Sequence, residues 1–378
     1  MKTVLASDKS CSLKGVQKVF YFTTGQVASC CQEYPKKLSN YHSFDQLLQG
    51  WQQENNQMAQ GHEVPSCKPC WVLEHQNLQS LRQQPAITPE SIEISASNLC
   101  NQMCSYCSPR YSSEWQQSIQ QHGVFLNVSK STQLNQSPAL IEKNTDIWIE
   151  QIAKYISQKE DESVVIKLLG GEPLMQQRNL EQLLVLNNNK IKKIRVHTNL
   201  NPPTNKFLKW LLDTCPSEKL HLDVSLDATP LYNHVPRSGF DCNKFLDNLN
   251  TVRKHSITVN LFSVISVLSI FDYENFSIWR EQQGLETEFV RLNNPDCLDP
   301  KYIPTEFLQQ ALSNTKLKLD NYTQELLDCP QPMVDLKLFE QYNYLKQYFV
   351  RTGTQVNNTV FEPYWNWLKE RYENSIGI

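Results

Sequence analysis

The chain has 378 residues, 12 of them cysteine, and its 36 Lys and Arg against 39 Asp and Glu leave a formal net charge of -3. That near balance offers no basic surface for a nucleic acid or another polyanion, and no apolar run approaches the roughly 18 residues that cross a bilayer. The start, MKTVLASDKSCSLKG, returns to charge after a short apolar patch, so no secretory leader is expected and a cytoplasmic location is. Structural disulfides are rare there, so the cysteines need another explanation, and metal or cluster ligation comes first.

The length suggests two or three domains. Residues 1–84 hold Cys11, Cys30, Cys31, Cys67 and Cys70 with few long periodic stretches, which predicts a small, metal-stapled unit. From Pro85 the texture becomes a regular alternation. Strands are predicted at Ser91–Ala96, Ser163–Leu169, Lys193–Thr198, Leu220–Leu226, Thr258–Val267 and Thr287–Leu292. Helical spacing lies between them, at Ile147–Ile156, Leu180–Leu186, Lys206–Leu212 and Phe240–Val252. Strands alternating with helices give an α/β fold with a parallel sheet, open or curled into part of a barrel, with its chemistry at the strands' C-terminal ends.

Within this stretch, Ser112–Ser137 is rich in Gln, Asn and Ser and predicts a helix around Glu114–Ile119 followed by a solvated loop, with a lid as the alternative. Lys190, Lys192, Lys193 and Arg195 read as a solvated strand start. Beyond Pro300 the pattern is helical and aromatic. Trp365, Leu368 and Tyr372 share one helical face, a packing face rather than a cofactor site. The organisation is therefore 1–84, 85–300 and a helical extension over 301–378.

The first strand of the alternation runs directly into Cys100, Cys104 and Cys107, spaced C-x3-C-x2-C. Three thiolates on one short loop can hold three irons of a 4Fe-4S cube, which takes four when protein alone ligates it, and so leave one iron open. The alternatives are a structural zinc knuckle or a chance group of cysteines, but zinc wants four ligands and no fourth lies nearby in sequence.

This spacing, with Tyr106 before the last cysteine, resembles the signature of the radical S-adenosylmethionine (SAM) superfamily. The second strand ends in Gly170-Gly171-Glu172-Pro173, similar to the family's GGEP element, where backbone and carboxylate receive the amino group of SAM and the glycines allow close backbone approach. The resemblance, which covers roughly Pro85 to Pro300, implies a partial (β/α)6 barrel. It also puts Thr198, Asn199, Ser225 and Asp227 in the SAM or substrate pocket, with Ser225 the best ribose contact and Arg237 at a further family position. Each of these can instead be a strand-end cap, and His197 is read as a packing residue.

Ahead of the barrel, Cys11-x13-Gly25-x4-Cys30 followed by Cys67-Lys68-Pro69-Cys70 resembles the twitch, or half-SPASM, domain, which carries one auxiliary Fe-S cluster. The resemblance implies that Thr24-Gly25-Gln26 turns a hairpin presenting Cys30, and that Cys11, Cys67 and Cys70 complete four ligands. A zinc site of the same shape is the alternative. The domain usually follows the barrel and here precedes it. That order, with an element like Ser112-Ser113-Glu114-Trp115 after the triad, resembles phage-type twitch-domain radical SAM proteins. Cys31, Cys215, Cys242, Cys297 and Cys329 fit no ligand spacing and are expected to be buried small hydrophobes.

What the resemblance implies is reductive cleavage of SAM at a 4Fe-4S cluster to a 5'-deoxyadenosyl radical that abstracts hydrogen from a substrate, with an auxiliary cluster relaying electrons. The expected partners are a peptide or protein substrate and an electron donor such as flavodoxin or ferredoxin, with no nucleic acid and no membrane. A small metabolite, a sugar or nucleoside, is the alternative substrate. A non-catalytic Fe-S or zinc binding module is the alternative function.

Overall fold

The structure is a computed structural model and describes residues 10–83, 89–124, 137–292, 294–313, 321–328 and 335–375. The chain first makes a hairpin of β1 (Gln17–Tyr21) and β2 (Gln26–Ala28), with Gly25 at φ +64° in the turn, as expected of the segment ahead of Cys30. Next come β3 (Lys36–Lys37), α1 (Phe44–Ala59), α2 (Lys68–His75) and β4 (Glu90–Ser95). They are followed by β5 (Met103–Cys104), α3 (Ser113–His122), α4 (Pro138–Ser157), β6 (Val164–Leu169), α5 (Gln177–Leu186) and β7 (Ile191–Thr198). Then α6 (Lys206–Thr214), β8 (Leu220–Ser225), β9 (Arg237–Ser238), α7 (Cys242–Lys254), β10 (Thr258–Ile265), α8 (Tyr273–Gln282) and β11 (Glu286–Arg291) alternate. The last described elements are α9 (Thr305–Ala311), α10 (Asn321–Asp328), α11 (Asp335–Thr352) and α12 (Glu362–Ser375).

The six expected strands all form, as β4, β6, β7, β8, β10 and β11, and their ends move by no more than two residues. The fold is α/β with mostly parallel pairing. Contacts divide the described chain into two compact units, one from residues 1–99, 134–197 and 204–221, the other from 100–133, 198–203 and 222–378.

In the first unit the strand order is β7-β6-β4-β1-β2-β3, parallel from β7 through β1 and antiparallel beyond. The cysteine-rich region contributes to this sheet, because β1 pairs with β4 from Gln17↔Ser91 to Tyr21↔Ser95. Strand β4 is buried on both faces, as a central parallel strand is. The crossover helix α4 buries Ile149, Ile152 and Ile156, and α5 buries Leu180, Leu183 and Leu184. Helix α1 runs 16 residues in a region whose sequence looks poorly periodic. Its N-cap hydroxyl, Ser43, accepts from Gln46 N, and its buried stripe of Phe44, Leu47, Trp51 and Met58 is thin among Gln and Asn, so the helical signal is diluted. The basic strand start is surface: Lys190 pairs with Asp161 at 2.7 Å and Lys192 is exposed.

In the second unit β8 lies beside β10, which pairs in parallel with β11 from Asn260↔Glu286 to Ile265↔Arg291. Its core joins Ile265 and Val267 to Trp115 of α3, Leu345 of α11 and Leu368 of α12. The predicted aromatic face packs internally. Tyr342 stacks on Trp365 at 5.3 Å and on Tyr372 at 4.3 Å between ring centroids. Helix α3 covers the expected Glu114–Ile119, while residues 125–136 of the predicted loop lie outside the described residues. Among the described residues no helix is long and apolar enough to cross a membrane.

Candidate functional site

The loop that carries Cys100, Cys104 and Cys107 is irregular apart from β5. Buried irregular backbone must find hydrogen-bond partners outside a ladder, and side chains supply them. Ser113 Oγ donates to Cys100 O at 3.1 Å, Ser112 Oγ to Gln102 O at 2.8 Å and Trp115 Nε1 to Cys104 O at 3.0 Å. From α11, Tyr348 OH reaches Met103 O at 3.0 Å and Tyr344 OH reaches Ser105 O at 2.6 Å. The Ser112-Ser113-Glu114-Trp115 element is thus a brace for the cysteine loop, and Ser112 also caps α3 by accepting from Trp115 N at 3.2 Å. Tyr344→Phe keeps the ring but leaves Ser105 O without this donor. A loss of about 1–3 kcal/mol is expected, read as a lower denaturation midpoint.

Cys104 sits beside a buried ion pair. The short antiparallel ladder of β5 and β9 sets Cys104 opposite Arg237, whose Nη1 donates to Cys104 Sγ at 3.6 Å. The same guanidinium holds Asp227 with two parallel bonds, Nε to Oδ2 at 2.9 Å and Nη2 to Oδ1 at 3.0 Å. Tyr106 OH donates to Asp227 Oδ2 at 2.7 Å and Val264 N to Oδ1 at 2.9 Å. Burial works to lower the Arg237 pKa, but Asp227, Tyr106 and Cys104 more than reverse it, so the guanidinium stays charged. Burial pushes Tyr106 well above the usual phenol range, with Arg237 opposing and Asp227 adding to the rise, so its hydroxyl remains a donor. Burial and the neighbouring Cys104 raise the Cys107 thiol to about 12. The structure therefore brings together four of the expected residues, Cys104, Tyr106, Asp227 and Arg237.

The strand-end residues are tied to the same loop. Asn199 Nδ2 donates to Asn101 Oδ1 at 3.0 Å, between the first two cysteines, and Asn101 Nδ2 donates to Asn201 O at 2.7 Å. Thr198 Oγ1 accepts from Leu200 N at 2.9 Å, the strand-end cap that its residue type allows. Ser225 is half-buried at the end of β8. Asn101, Trp115, Tyr344 and Tyr348 were not expected in the site. Nothing local in the sequence marks the two tyrosines, which stand 239 and 245 residues from their partners.

In the first unit, Gly170-Gly171-Glu172-Pro173 follows β6 directly. The glycines do permit a close approach, and what approaches is the chain itself. A Cβ on Gly171 would lie 2.3 Å from Leu99 O, and Gly170 has φ +121° with Ser97 O 2.8 Å from its own missing Cβ. Gly171 N donates to Ser97 O at 3.0 Å and Glu172 N to Leu99 O at 2.7 Å, extending the β4–β6 pairing past the strand ends into the segment that precedes Cys100. The Glu172 carboxylate is buried and accepts from Leu174 N at 2.9 Å, and Pro173 opens the 3-10 turn that follows.

The N-terminal cysteines also gather in the first unit. Cys11, Cys30 and Cys67 share one buried cluster with Met58, Val64 and Trp71, and Cys70 is buried on α2. Burial raises the Cys11 and Cys30 thiols against backbone hydrogen bonds from Leu13 and Lys14 at the first and from Gln32 and Glu33 at the second. Burial raises all three clustered thiols, Cys30 to about 12, and neighbouring thiols add to it, Cys70 acting on Cys11 and Cys11 acting on Cys30 and Cys67. Sulfurs close enough to repel as thiolates, with Lys14 Nζ donating to Cys67 Sγ at 3.6 Å, fit a thiolate-ligated group. Among the described residues no three His, Cys, Asp or Glu converge as ligands of a single metal ion. A cube does not require that, because each thiolate holds a different iron.

The remaining cysteines divide. Cys215 and Cys297 are buried as expected, but Cys31 is exposed and Cys242 only half-buried, because each opens onto the surface beside a turn or at a helix start. Cys329 lies outside the described residues.

The profile of the Radical SAM superfamily matches residues 94–279, and no curated protein matches the chain. Among solved structures, native anSMEcpe with bound AdoMet is 16% identical with a TM-score of 0.39, over 68% of this chain and 59% of that one. The same protein with bound AdoMet and Cp18Cys peptide is 16% identical at 0.39, over 65% and 63%. Streptococcus suis SuiB bound to S-adenosylmethionine is 13% identical at 0.37, over 81% and 60%. The chain spans less than two thirds of the length of each.

Proposed function

Because this chain carries a radical SAM domain, we propose that it is a radical SAM enzyme whose catalytic cluster is held by Cys100, Cys104 and Cys107. The observation that carries this reading is the cysteine loop itself, three thiols on one braced loop with a buried guanidinium on Cys104. A bound cluster and SAM would supply the chemistry, reductive cleavage of SAM and abstraction of hydrogen from the substrate. The protein's residues place and shield. Arg237, fixed by Asp227 and Tyr106, orients Cys104 and adds positive charge beside its sulfur. Gly170, Gly171, Glu172 and Pro173 would receive the amino group of SAM, with Thr198, Asn199 and Ser225 toward its ribose and carboxylate. Cys11, Cys30, Cys67 and Cys70 would hold an auxiliary cluster. Four protein thiolates saturate such a cluster, which suits it to electron transfer.

The substrate we propose is a peptide or protein, the class that accompanies twitch-like cysteine spacing, with a flavodoxin or ferredoxin as electron donor. We place the protein in the reducing cytoplasm, where clustered cysteines serve as metal or cluster ligands rather than as structural disulfides. The test is anaerobic reconstitution with SAM and a reductant. 5'-Deoxyadenosine should form, and Cys104→Ala should reduce it at least about a thousandfold, the scale set by losing the reactive centre. Absence of 5'-deoxyadenosine from the wild type, or undiminished formation by the variant, overturns the assignment. Copurification with a peptide rather than a sugar or nucleoside tests the substrate class.

A further inference from the structure

Two of the N-terminal cysteines are followed at the third place by a charged residue, Lys14 after Cys11 and Glu33 after Cys30. Each pair spans a turn of the same kind, Lys14 N donating to Cys11 O and Glu33 N to Cys30 O, both at 3.3 Å. The two turns are joined by an ion pair, Lys14 Nζ to Glu33 Oε1 at 2.9 Å, with side chains only 1% and 0% exposed. Lys14 Nζ also reaches Glu54 Oε2 at 2.9 Å, Ser29 Oγ at 3.2 Å and Cys67 Sγ at 3.6 Å. Lys36 completes the group, 2.6 Å from Glu54 and 3.4 Å from Glu33. Two lysines and two glutamates cancel, and Lys14 is the member whose hydrogen bonds extend to a sulfur.

Stability does not account for this arrangement. Burying an ion pair gains little over apolar packing of the same volume, because each ion loses several kcal/mol of hydration. A cation beside ligand sulfurs does have a use. Charge and hydrogen bonds at the sulfurs set the reduction potential of an Fe-S cluster, and positive charge favours the reduced state. We propose that Lys14, held by Glu33 and Glu54, is the positioning residue that sets the reduction potential of the auxiliary site through Cys67. The inference rests on Cys11, Cys30, Cys67 and Cys70 holding an Fe-S cluster. It adds which residue makes that cluster an electron acceptor, and why Glu33 stands opposite it.

The experiment uses the full chain with Cys100, Cys104 and Cys107 all changed to Ala, reconstituted anaerobically, so that remaining iron belongs to the N-terminal site. Iron analysis tests the underlying reading first, and no iron, or zinc in its place, overturns both. With iron present, a redox titration followed by electron paramagnetic resonance compares this protein with Lys14→Gln and Glu33→Gln. The expected midpoint is more negative for Lys14→Gln, which removes the cation. It is more positive for Glu33→Gln, which leaves the cation less compensated. A residue that only staples the turns would not shift the potential in opposite directions. Equal midpoints at equal iron content overturn the role of Lys14. If Lys14→Gln loses its iron, Glu33→Gln and Lys14→Arg decide. A positive shift in the first and a retained potential in the second support the inference, and any other pair of results overturns it.

Discussion

Asp227→Ala is expected to destabilise the protein by about 3–5 kcal/mol, the cost of leaving a buried ion without its partner. Asp227 is fully buried, and its two oxygens accept four hydrogen bonds, two from Arg237 and one each from Tyr106 and Val264 N. Removing the carboxylate strands the guanidinium, the Tyr106 hydroxyl and a backbone N–H together. Against a total stability of about 5–15 kcal/mol, the thermal midpoint should fall by on the order of 10 °C. A second variant separates the loss of the charges from the loss of one partner. Asp227→Leu combined with Arg237→Met removes both charges and should recover most of the loss, since apolar replacement of a buried pair is often neutral or stabilising. Iron bound at the cysteine loop separates the two roles, because the double variant should fold yet lack the cation beside Cys104. A single Asp227→Ala variant that melts within a degree or two of the wild type would refute this account.

Gly171→Ala is the second large expectation. The added Cβ would meet Leu99 O at 2.3 Å and the carbonyl carbons of Asn98 and Leu99 at 2.7 Å, all backbone atoms that cannot swing aside. Relief requires parting the two segments, which breaks the bonds from Gly171 N to Ser97 O and from Glu172 N to Leu99 O. Overpacking of this kind costs about 1–3 kcal/mol and sometimes more, and two lost hydrogen bonds place this site at the upper end. Gly50 in α1 is the internal control. Its added Cβ would meet only the Tyr41 ring at 3.5 Å, so Gly50→Ala should be neutral or stabilise by up to about 1 kcal/mol through helix propensity. Denaturant titration of the two variants checks both, and equal midpoints would be inconsistent with the close approach.

What the sequence disclosed and what it hid divide along physical lines. The six strands were legible because their apolar, β-branched runs are local. The cysteine triad was legible because its spacing is compact enough to define a loop. Asp227 and Arg237 stood out as motif positions, but their pairing with each other and with Cys104 depends on the β5–β9 ladder, which two residues per strand do not announce. Helix α1 was hidden by a glutamine-rich surface that thins its apolar stripe. Lys14 and Glu33 look like ordinary surface charges until three-dimensional packing buries them. Cys31 and Cys242 show the converse, since residue type alone suggested burial and the backbone left both at or near the surface.

The carbonyl braces of the cysteine loop also impose an order in time. Met103 O and Ser105 O take their hydroxyl partners from Tyr348 and Tyr344, contacts that close loops of 245 and 239 residues. Chains emerge from the ribosome at about 5–20 residues per second, so the triad is exposed for many seconds before α11 has been made. During that interval the loop has its nearby braces, Ser112, Ser113 and Trp115, and lacks the distant ones. Metal loaded then would enter a half-supported loop, whereas metal loaded later meets one already braced from α11.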